Sequence, residues 1–326
     1  MKAMVMAAGL GTRLRPLTYE VPKPMVPVAN RPVMEHILRM LPGHGLEQVI
    51  SNLHWFPETI RNRFGDGSEL GIELTYSDEE ELLDTAGGVW NVRDFLTEDG
   101  SFIVMAGDAL TDVDLTALID AHAAHDGVAT MTVKKVANVS EFGVVLTDSE
   151  GRVSGFQEKP DPAEALSDLA NCMIYAFRPE IFDYFPEDPH VDWAKQIFPL
   201  LLEQDVPFHV HETERYWNDV GSLPEYLQGN IDAVTGTVAV DCAGELVDAD
   251  AGGALGDGVE VSGRVLVGEG AEVGEGARID GPVVLGPGSR VGAGARVKES
   301  VLLARGEVPA NGLLAGSIAG RRGALG

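Results

Sequence analysis

The pattern of hydrophobic and polar residues along the chain changes near residue 236. Before that point, short apolar runs such as KAMVMAA, EQVISNL and SFIVMAG alternate with segments such as PVMEHILRML, whose apolar residues recur at helical spacing. Runs of the first kind predict buried strands, and segments of the second kind predict amphipathic helices. Alternation of the two predicts βαβ units around a mostly parallel sheet, with Asp114 as the N-cap of a helix over DLTALIDAHAAH.

After residue 236 the pattern follows a period of six. Written in sixes from Val259, the third position is aliphatic eight times in succession: Val261, Val267, Val273, Ile279, Leu285, Val291, Val297 and Leu303. This spacing is typical of a hexapeptide β-helix, in which each short strand buries one residue and successive coils stack. Leu255 extends the pattern backwards, whereas residues 237–254 are less regular and predict a poorly formed first coil. We therefore expect two domains, residues 1–235 and 236–326.

The composition argues against several classes of protein that the chain could belong to. The chain of 326 residues carries 24 Lys+Arg against 51 scattered Asp+Glu, a formal net charge of −27. Such acidity argues against nucleic-acid binding, which needs a basic surface. No apolar run is long enough for a membrane span, and residues 1–6 resemble a first strand more than a signal peptide. The two cysteines, Cys172 and Cys242, lack metal-ligand spacing. We expect a cytoplasmic protein.

Lysine is scarce, at 7 of the 24 basic residues. An acidic, lysine-poor surface is expected of a protein that works in high salt, where ions screen its self-repulsion. An ordinary acidic cytosolic protein is the alternative.

One stretch runs against this acidity, because residues 1–40 hold six basic and two acidic side chains. There the loop Gly9-Leu10-Gly11-Thr12-Arg13 follows the first strand, and ligands of open α/β sheets bind at such strand ends. The loop is neither a dinucleotide fingerprint, since Leu14 replaces the third glycine, nor a Walker A loop. Backbone N–H groups of a glycine loop can approach phosphates, and Arg13 and Lys23 would add positive charge. A structural turn is the alternative, but the two cations favour phosphate binding.

The segment AAGLGTRLRPLTYEVPKPMVPV closely resembles the signature of the sugar-1-phosphate nucleotidylyltransferases, or NDP-sugar pyrophosphorylases. The motifs LLDTAGGVWN, VMAGD, FGVVLTDSEGRVSGFQEKP, NCMIYAF and YWNDVGSLPEYLQGN continue the resemblance over nearly the whole chain. The resemblance implies a Rossmann-like nucleotidyltransferase sheet followed by a left-handed β-helix. It also implies that an NTP and a sugar 1-phosphate react, with Mg²⁺, to give an NDP-sugar and pyrophosphate.

The resemblance also assigns the site residues. Nucleotide binding falls to Ala8, Gly9, Gly11, Thr12, Arg13, Glu79, Glu81, Asp84 and Thr85, and sugar-phosphate binding to Gly143, Glu158, Lys159 and Asn171. The Mg²⁺ ligands would be Asp108 and Asp219, and the catalytic residues Arg13, Lys23 and Asp108. The attacking phosphate is already an anion, so the reaction needs charge neutralisation and alignment more than a base. Taken alone, Asp219 could be a cap or turn residue, and Glu158–Lys159 an exposed charged pair.

Two departures from the family pattern bear on the substrates. Asp84 stands where the family usually has glycine, and Cys172–Met173 follow Asn171 where it often has Ala-Gly. Asp84 or Glu81 could accept hydrogen bonds from guanine, or cap a helix that starts at Thr85; capping is favoured. The favoured activity is mannose-1-phosphate guanylyltransferase. The alternatives are a glucose-1-phosphate thymidylyl- or uridylyltransferase and a catalytically silent regulatory relative.

The repeats are expected to serve assembly. An open stack of coils with a free end near residue 320 invites a partner, either a second subunit or a capping segment, and we expect a homo-oligomer. Every catalytic candidate lies at or before Asp219. Deleting residues 237–326 should therefore disturb assembly before chemistry, although the apolar face of the helix over SLPEYLQGNIDAV could make the truncated chain insoluble.

Overall fold

The computed structural model of the protein describes residues 1–249, 255 and 258–325. The chain forms two compact units, each built from separate segments. The first unit comprises Met1–Leu10, Ile37–Asp108 and Val113–Trp217, and the second comprises Gly11–His36, Ala109–Asp112 and Asn218–Gly326. The second unit therefore combines the repeats with a segment from near the start of the chain. Within the described ranges, no helix is long and apolar enough to cross a membrane.

Helices and strands are mixed along residues 1–235, and four strands between residues 129 and 177 follow one another without an α-helix. The α-helices are α1 (Val33–Met40), α2 (Pro57–Phe64), α3 (Asp84–Asn91), α4 (Arg93–Thr97), α5 (Leu115–Ala123), α6 (Phe198–Glu203) and α7 (Leu223–Thr235). The strands are β1 (Ala3–Met6), β2 (Pro27–Val28), β3 (Arg31–Pro32), β4 (Gln48–Leu53), β5 (Glu73–Asp78), β6 (Phe102–Ala106), β7 (Leu110–Thr111), β8 (Ala129–Lys135), β9 (Gly143–Thr147), β10 (Val153–Glu158), β11 (Leu169–Phe177), β12 (His209–Glu212) and β13 (Trp217–Asn218). The Asp114 side chain caps α5 by accepting from the Ala117 N–H, as the sequence predicts.

The main sheet lies in the first unit. Its strand order is β10-β9-β11-β6-β1-β4-β5, and β8 pairs with both β11 and β12. β1 runs parallel to β4 and β6, and β4 runs parallel to β5, whereas β11 is antiparallel to β6. Since β1, β4 and β6 are parallel, the segments that follow them lie at one edge of the sheet. The predicted α/β class with a mostly parallel central sheet is confirmed.

The repeats form a parallel β-helix in the second unit. Its strands are β14 (Glu245–Asp248), β15 (Glu260–Ser262), β16 (Arg264–Val267), β17 (Glu272–Val273), β18 (Arg278–Asp280), β19 (Val283–Leu285), β20 (Arg290–Val291), β21 (Arg296–Lys298), β22 (Val301–Leu302), β23 (Glu307–Val308), β24 (Leu313–Ala315), β25 (Ile318–Gly320) and β26 (Gly323–Leu325). They make three faces, ordered β14-β16-β19-β22-β25-β26, β15-β18-β21-β24 and β17-β20-β23. The register joins Val261, Ile279 and Val297 in one row, and Ile279 and Val297 are fully buried.

The period of six first fails at the corner before Val301, and the corner before Ile318 is shortened in the same way. Leu285 pairs with Leu302, not with Leu303, and Leu302 is fully buried. The coil from Leu285 to Leu302 is one residue shorter than the coil from Val267 to Leu285. Glu299, between these strands, has a left-handed backbone with a φ angle of 46°. The prediction that Leu303 points inward is therefore wrong, because a shortened corner shifts the inward position to Leu302.

Antiparallel strands flank the first face of the β-helix. β14 pairs antiparallel with β16, and β26 turns back to pair antiparallel with β25. Of the predicted first coil, residues 237–249 hold β14, while residues 250–254 lie outside the described residues. Leu255 packs partly buried against the inner core, in line with the repeat. On this face β26 pairs with β25 as a capping segment near residue 320, which is one of the two kinds of partner predicted for the open end.

A cluster of three histidines packs where α5 meets the sheet. The His122 and His125 rings both hydrogen-bond Thr130 Oγ1, at 2.8 and 2.9 Å, and the His125 ring stacks on His209 with ring centres 4.0 Å apart. Burial, followed by the Arg178 charge, lowers the pKa of His122 to about 4. Burial, followed by His209, lowers the pKa of His125 to about 4. The folded protein therefore keeps both rings neutral at pH values where free histidine is charged.

We expect the free energy of unfolding to fall between about pH 6.5 and pH 4. In this window His122 and His125 take up protons in the unfolded chain but not in the folded one, so stability rises with pH. Urea denaturation at about pH 7 and pH 5 measures the drop. The variant His122→Gln should show a smaller drop than the unaltered protein. Equal drops in both proteins would contradict this origin of the acid sensitivity.

Candidate active site

The glycine loop is built onto the segment that carries Lys23. Gly11 has a φ angle of 60°, and a Cβ atom there would lie 2.7 Å from Lys23 Cβ. The Thr18 hydroxyl donates to the Gly11 carbonyl at 2.8 Å. Glycine is therefore required at position 11 both for its backbone conformation and for space. At Gly9, by contrast, an added Cβ atom would meet nothing within 4 Å.

Both predicted cationic side chains meet Asp219. The Arg13 guanidinium lies 3.4 Å from Asp219 Oδ2, and Lys23 Nζ donates to the Asp219 backbone carbonyl at 2.7 Å. Lys23 is only 8% exposed, whereas the Arg13 side chain is 65% exposed. Asp219 Oδ1 accepts from the Gly221 N–H, and a Cβ atom at Gly221 would lie 2.3 Å from Asp219 Oδ2. The structure thus brings together three of the predicted site residues, and Gly221 leaves room for them.

The chemistry of this cluster fits a metal–polyphosphate complex. Arg13 offers a planar, exposed cation to phosphate oxygens, and Asp219 offers a carboxylate beside it. Among the described residues, no group of three or more His, Cys, Asp or Glu side chains could hold a metal ion. A Mg²⁺ ion needs no such group, since one or two carboxylates together with substrate phosphates commonly hold it.

Asp108 follows the end of β6 in the first unit. The preceding Gly107 donates its N–H to the Met6 carbonyl at 2.8 Å, and a Cβ atom at Gly107 would lie 2.7 Å from that same oxygen. Close packing against the end of β1 therefore fixes the turn that presents Asp108. Asp219 belongs to the second unit. That the two carboxylates share one metal remains a prediction.

The predicted nucleotide-binding residue Glu79 makes hydrogen bonds within the protein through both of its carboxylate oxygens. Its side chain is buried, Oε1 accepts from Asn52 Nδ2 at 2.7 Å, and Oε2 accepts from the Leu83 N–H at 3.1 Å. Asn52 in turn accepts from the Ala7 N–H at 2.9 Å. The Glu79 carboxylate therefore links strand β4 to the backbone just before α3. Sequence analysis missed Asn52, whose only local signal is a polar residue near the end of the buried run QVISNL.

The first N–H groups of α3 find their hydrogen-bond acceptor in a distant segment of the chain. α3 begins at Asp84, which has a φ angle of 61°, and the preceding residue makes no side-chain capping bond. The N–H groups of residues 86 and 87 both donate to the Val191 carbonyl. Thr85 Oγ1 donates to Asp192 Oδ2 at 3.1 Å. The prediction that Asp84 or Glu81 caps the helix is therefore wrong, because Val191 supplies the acceptor; both carboxylates are exposed.

The predicted sugar-phosphate residues form a row across three strands. Glu158 pairs with Gly143, and Ala170 pairs with Val144, which places Asn171 next in register beside Gly143. Asn171 Oδ1 accepts from the Met173 N–H at 2.9 Å, and its Nδ2 donates to the Tyr175 hydroxyl at 2.9 Å. Lys159 follows Glu158 and is exposed, with a φ angle of 45°. The four predicted residues, Gly143, Glu158, Lys159 and Asn171, thus lie together on the first unit.

An aromatic pair that sequence analysis missed adjoins this row. The Phe142 and Trp217 rings lie 5.5 Å apart, and the Lys159 N–H donates to the Phe142 carbonyl. Trp217 is only 9% exposed, and its indole N–H finds no acceptor among the described residues. An unpaired buried donor is costly unless a ligand oxygen satisfies it. The sequence signal that could have indicated this pair is that Phe142 stands in the motif FG and Trp217 in the motif YWND.

Comparison with known families agrees with this geometry. Residues 2–235 match the family model for nucleotidyl transferase, and residues 261–326 match the model for the GMPPB C-terminal domain. The chain belongs to the nucleotidyl transferase family. The resemblance in the glycine-loop signature is thereby confirmed.

Relatives of this nucleotidyl transferase include two curated bacterial enzymes. A UTP–glucose-1-phosphate uridylyltransferase of Synechocystis is 40% identical over 240 residues, which cover 70% of this chain and 62% of that protein. A mannose-1-phosphate guanylyltransferase of Mycobacterium tuberculosis is 35% identical over 275 residues, covering 83% of this chain and 76% of that protein. The match to the first relative thus spans less than two thirds of its length.

A solved structure shares the fold. The crystal structure of HddC from Yersinia pseudotuberculosis complexed with GMP-PN matches 70% of this chain and 97% of that chain with a TM-score of 0.61. The two sequences are 23% identical over this match, so the comparison supports the fold alone.

Proposed function

We propose that the protein transfers a nucleotidyl group from an NTP to a sugar 1-phosphate and releases pyrophosphate. The observation that carries this proposal is the meeting of Arg13, Lys23 and Asp219 beside the glycine loop. Family membership supports the reaction class, and both curated relatives are named for hexose 1-phosphates. We also propose that residues 1–235 carry the chemistry and 236–326 the repeats, a division supported by the ranges of the two family matches.

The proposed reaction requires the protein to neutralise the charge of the two phosphates and to align them for in-line attack. An oxygen of the sugar phosphate attacks the α-phosphorus of the NTP, a new P–O bond forms, and the bond to the bridging oxygen breaks as pyrophosphate leaves in line. The nucleophile is an anion, so no side chain need remove a proton. Arg13 would meet the departing pyrophosphate, and Lys23 the α-phosphate or the sugar phosphate. Mg²⁺, held by Asp108 and Asp219, would neutralise phosphate charge.

The strand row supports the sugar end of the site. Lys159 is exposed beside Glu158, so it can reach the sugar phosphate, and Glu158 can accept from a sugar hydroxyl. The Trp217 indole N–H supplies a further donor. These side chains orient the acceptor, whereas Arg13 and Lys23 act on the phosphates.

The favoured substrates are GTP and mannose 1-phosphate. The C-terminal match and the guanylyltransferase relative with the longer coverage support this pair, whereas the 40% identical uridylyltransferase supports UTP and glucose 1-phosphate. A matrix of NTPs against sugar 1-phosphates with Mg²⁺ in molar KCl, read by mass spectrometry of the NDP-sugar, decides between them. Molar KCl is chosen because salt screens the repulsion among the acidic groups of this lysine-poor surface. The same composition supports the proposal that the protein works in a cytoplasm of high salt. UDP-glucose as the main product would favour the alternative, and no NDP-sugar from any pair would overturn the proposal.

Replacing Arg13 with alanine should lower kcat by ~10²–10³. The reason is that the guanidinium no longer stabilises the negative charge that develops on the departing pyrophosphate. The KM for the sugar phosphate should change much less. Arg15→Ala is the matched control. Arg15 stacks on the Tyr19 ring at 5.1 Å, and in the described structure it makes no hydrogen bond or ion pair with Asp219. Steady-state kinetics measures both variants. A raised KM for the sugar phosphate as the only defect of Arg13→Ala would refute the assigned role.

A further inference from the structure

The segment that carries Lys23 continues into a very short hairpin. β2 and β3 pair antiparallel over two residues each, and the turn between them is Ala29–Asn30. Both turn residues have left-handed backbones, with φ angles of 50° and 63°. A hairpin of this length is not stable by itself. Its position must therefore come from its neighbours in the second unit.

Two buried side chains of α7 hold the hairpin by its backbone. Asn230 Oδ1 accepts from the Ala29 N–H at 2.9 Å, and the Tyr226 hydroxyl donates to the Pro27 carbonyl at 2.6 Å. Asn230 Nδ2 also donates to the Tyr226 carbonyl, which fixes the direction of the amide. Both side chains are fully buried. At such burial, each lost partner leaves a polar backbone group unsatisfied.

The same helix begins beside Asp219. Ser222 caps α7, and Asp219 lies three residues before that cap. Lys23 spans from the hairpin segment to this point, because Nζ donates to the Asp219 carbonyl. The connection from Lys23 to Pro27 holds a second proline, Pro24, and the Val26 N–H donates to the Lys23 carbonyl at 3.0 Å. A stiff link therefore joins the hairpin to the lysine.

We propose that Tyr226 and Asn230 are positioning residues that keep Lys23 on the Asp219 carbonyl. Neither side chain would touch a substrate; each acts through the hairpin backbone. Losing either bond lets the hairpin shift, and Lys23 then leaves its buried position. The kinetic consequence rests on the proposed phosphate-binding role of Lys23, whereas the positioning itself does not.

Lysine acetylation tests the positioning without any substrate. Trace labelling with acetic anhydride, read by mass spectrometry, gives a rate for each lysine, and buried Lys2 in the first unit is the internal reference. In Tyr226→Phe and in Asn230→Ala, Lys23 should react roughly 2- to 10-fold faster, the range for one lost hydrogen bond. Tyr76→Phe is the matched control, since its hydroxyl donates to the Gly65 carbonyl at 2.8 Å in the first unit.

The outcomes separate the two claims. Faster labelling of Lys23 with unchanged labelling of Lys2 supports the positioning role, and a parallel fall in kcat/KM with the favoured substrates also supports the role of Lys23. Faster labelling with unchanged kcat/KM supports positioning but removes Lys23 from phosphate binding. Unchanged labelling of Lys23 in Tyr226→Phe overturns the inference. That single-hydroxyl variant decides the matter even if Asn230→Ala does not fold.

Discussion

Deleting residues 237–326 should prevent folding of the second unit and not merely its assembly. Four side chains of the first β-helix face, Leu266, Val284, Val301 and Ile318, are at most 3% exposed. They are not among the members of the inner core of the β-helix, and strand alternation points them to the outer side of the face. α7 packs on this face, against β16 and β19. The face is therefore an interface with α7, the helix that follows Asp219 and bonds the hairpin that follows Lys23.

The magnitude decides the outcome. Truncation exposes the apolar surface of α7 that Leu266 on β16 and Val284 on β19 cover. Burial equivalent to two aliphatic side chains contributes about 3–6 kcal/mol, at roughly 1.5–3 kcal/mol each. A whole domain is typically stable by only about 5–15 kcal/mol. Truncation also removes the bonds from Asn30 Nδ2 to the Leu285 carbonyl and from the Ala243 N–H to the Ala29 carbonyl, both 3.0 Å long. The sequence-based expectation that chemistry survives the deletion is therefore revised.

A shorter deletion provides the control. A chain that ends at Gly320 loses β26 but keeps all four outward side chains, so it should fold. Circular dichroism and sedimentation velocity in molar KCl compare the two truncated proteins with the full chain. A soluble, cooperatively unfolding protein of residues 1–236 with measurable transfer activity would contradict the account.

Replacing Asp219 with asparagine should reduce nucleotidyl transfer by at least ~10³-fold, and Asp108→Asn should do the same. Each change removes one negative charge from the proposed metal site, where the metal contributes several kcal/mol to the transition state. Asparagine keeps an oxygen for the Gly221 N–H, so the local fold should persist. The Arg13 ion pair is lost in Asp219→Asn only.

Pyrophosphate release over a range of Mg²⁺ concentrations measures both variants. Asp78→Asn is the control, since that exposed carboxylate pairs with Arg61 at 2.6 Å in the first unit. Near-normal turnover by Asp108→Asn or by Asp219→Asn would remove that residue from the metal site. Thermal melts should agree among the variants within a few degrees, because the altered side chains are only partly buried.

Local patterns predicted much of the fold. Strand and helix periods, the Asp114 cap and the inward row up to Val297 each depend on neighbours within a few residues. The shift to Leu302 was not predictable, because one missing residue at a corner leaves the aliphatic pattern intact: Leu303 is aliphatic too. The periodic signal identifies the repeat but cannot fix its register past such a corner.

The sequence predicted the site residues that stand together in a single motif. Arg13 and Lys23 stand in one short segment, and the structure brings both to Asp219. Asn52 and Asn230 were missed because their partners lie 45 and 201 residues away in the sequence. The capping prediction for Asp84 failed for the same reason, since the acceptor at α3 comes from Val191. Long-range backbone partners leave no local signal in one sequence.

The central claim is direct transfer between two phosphates that the protein aligns without forming a covalent intermediate. Exchange of ³²P-labelled pyrophosphate into the NTP tests it most directly. With GDP-mannose and Mg²⁺ present, label should appear in GTP, because pyrophosphate can attack only the nucleotide already joined to the sugar phosphate. With GTP alone, no exchange is expected. Exchange without any sugar phosphate, or none with any NDP-sugar, would contradict the account.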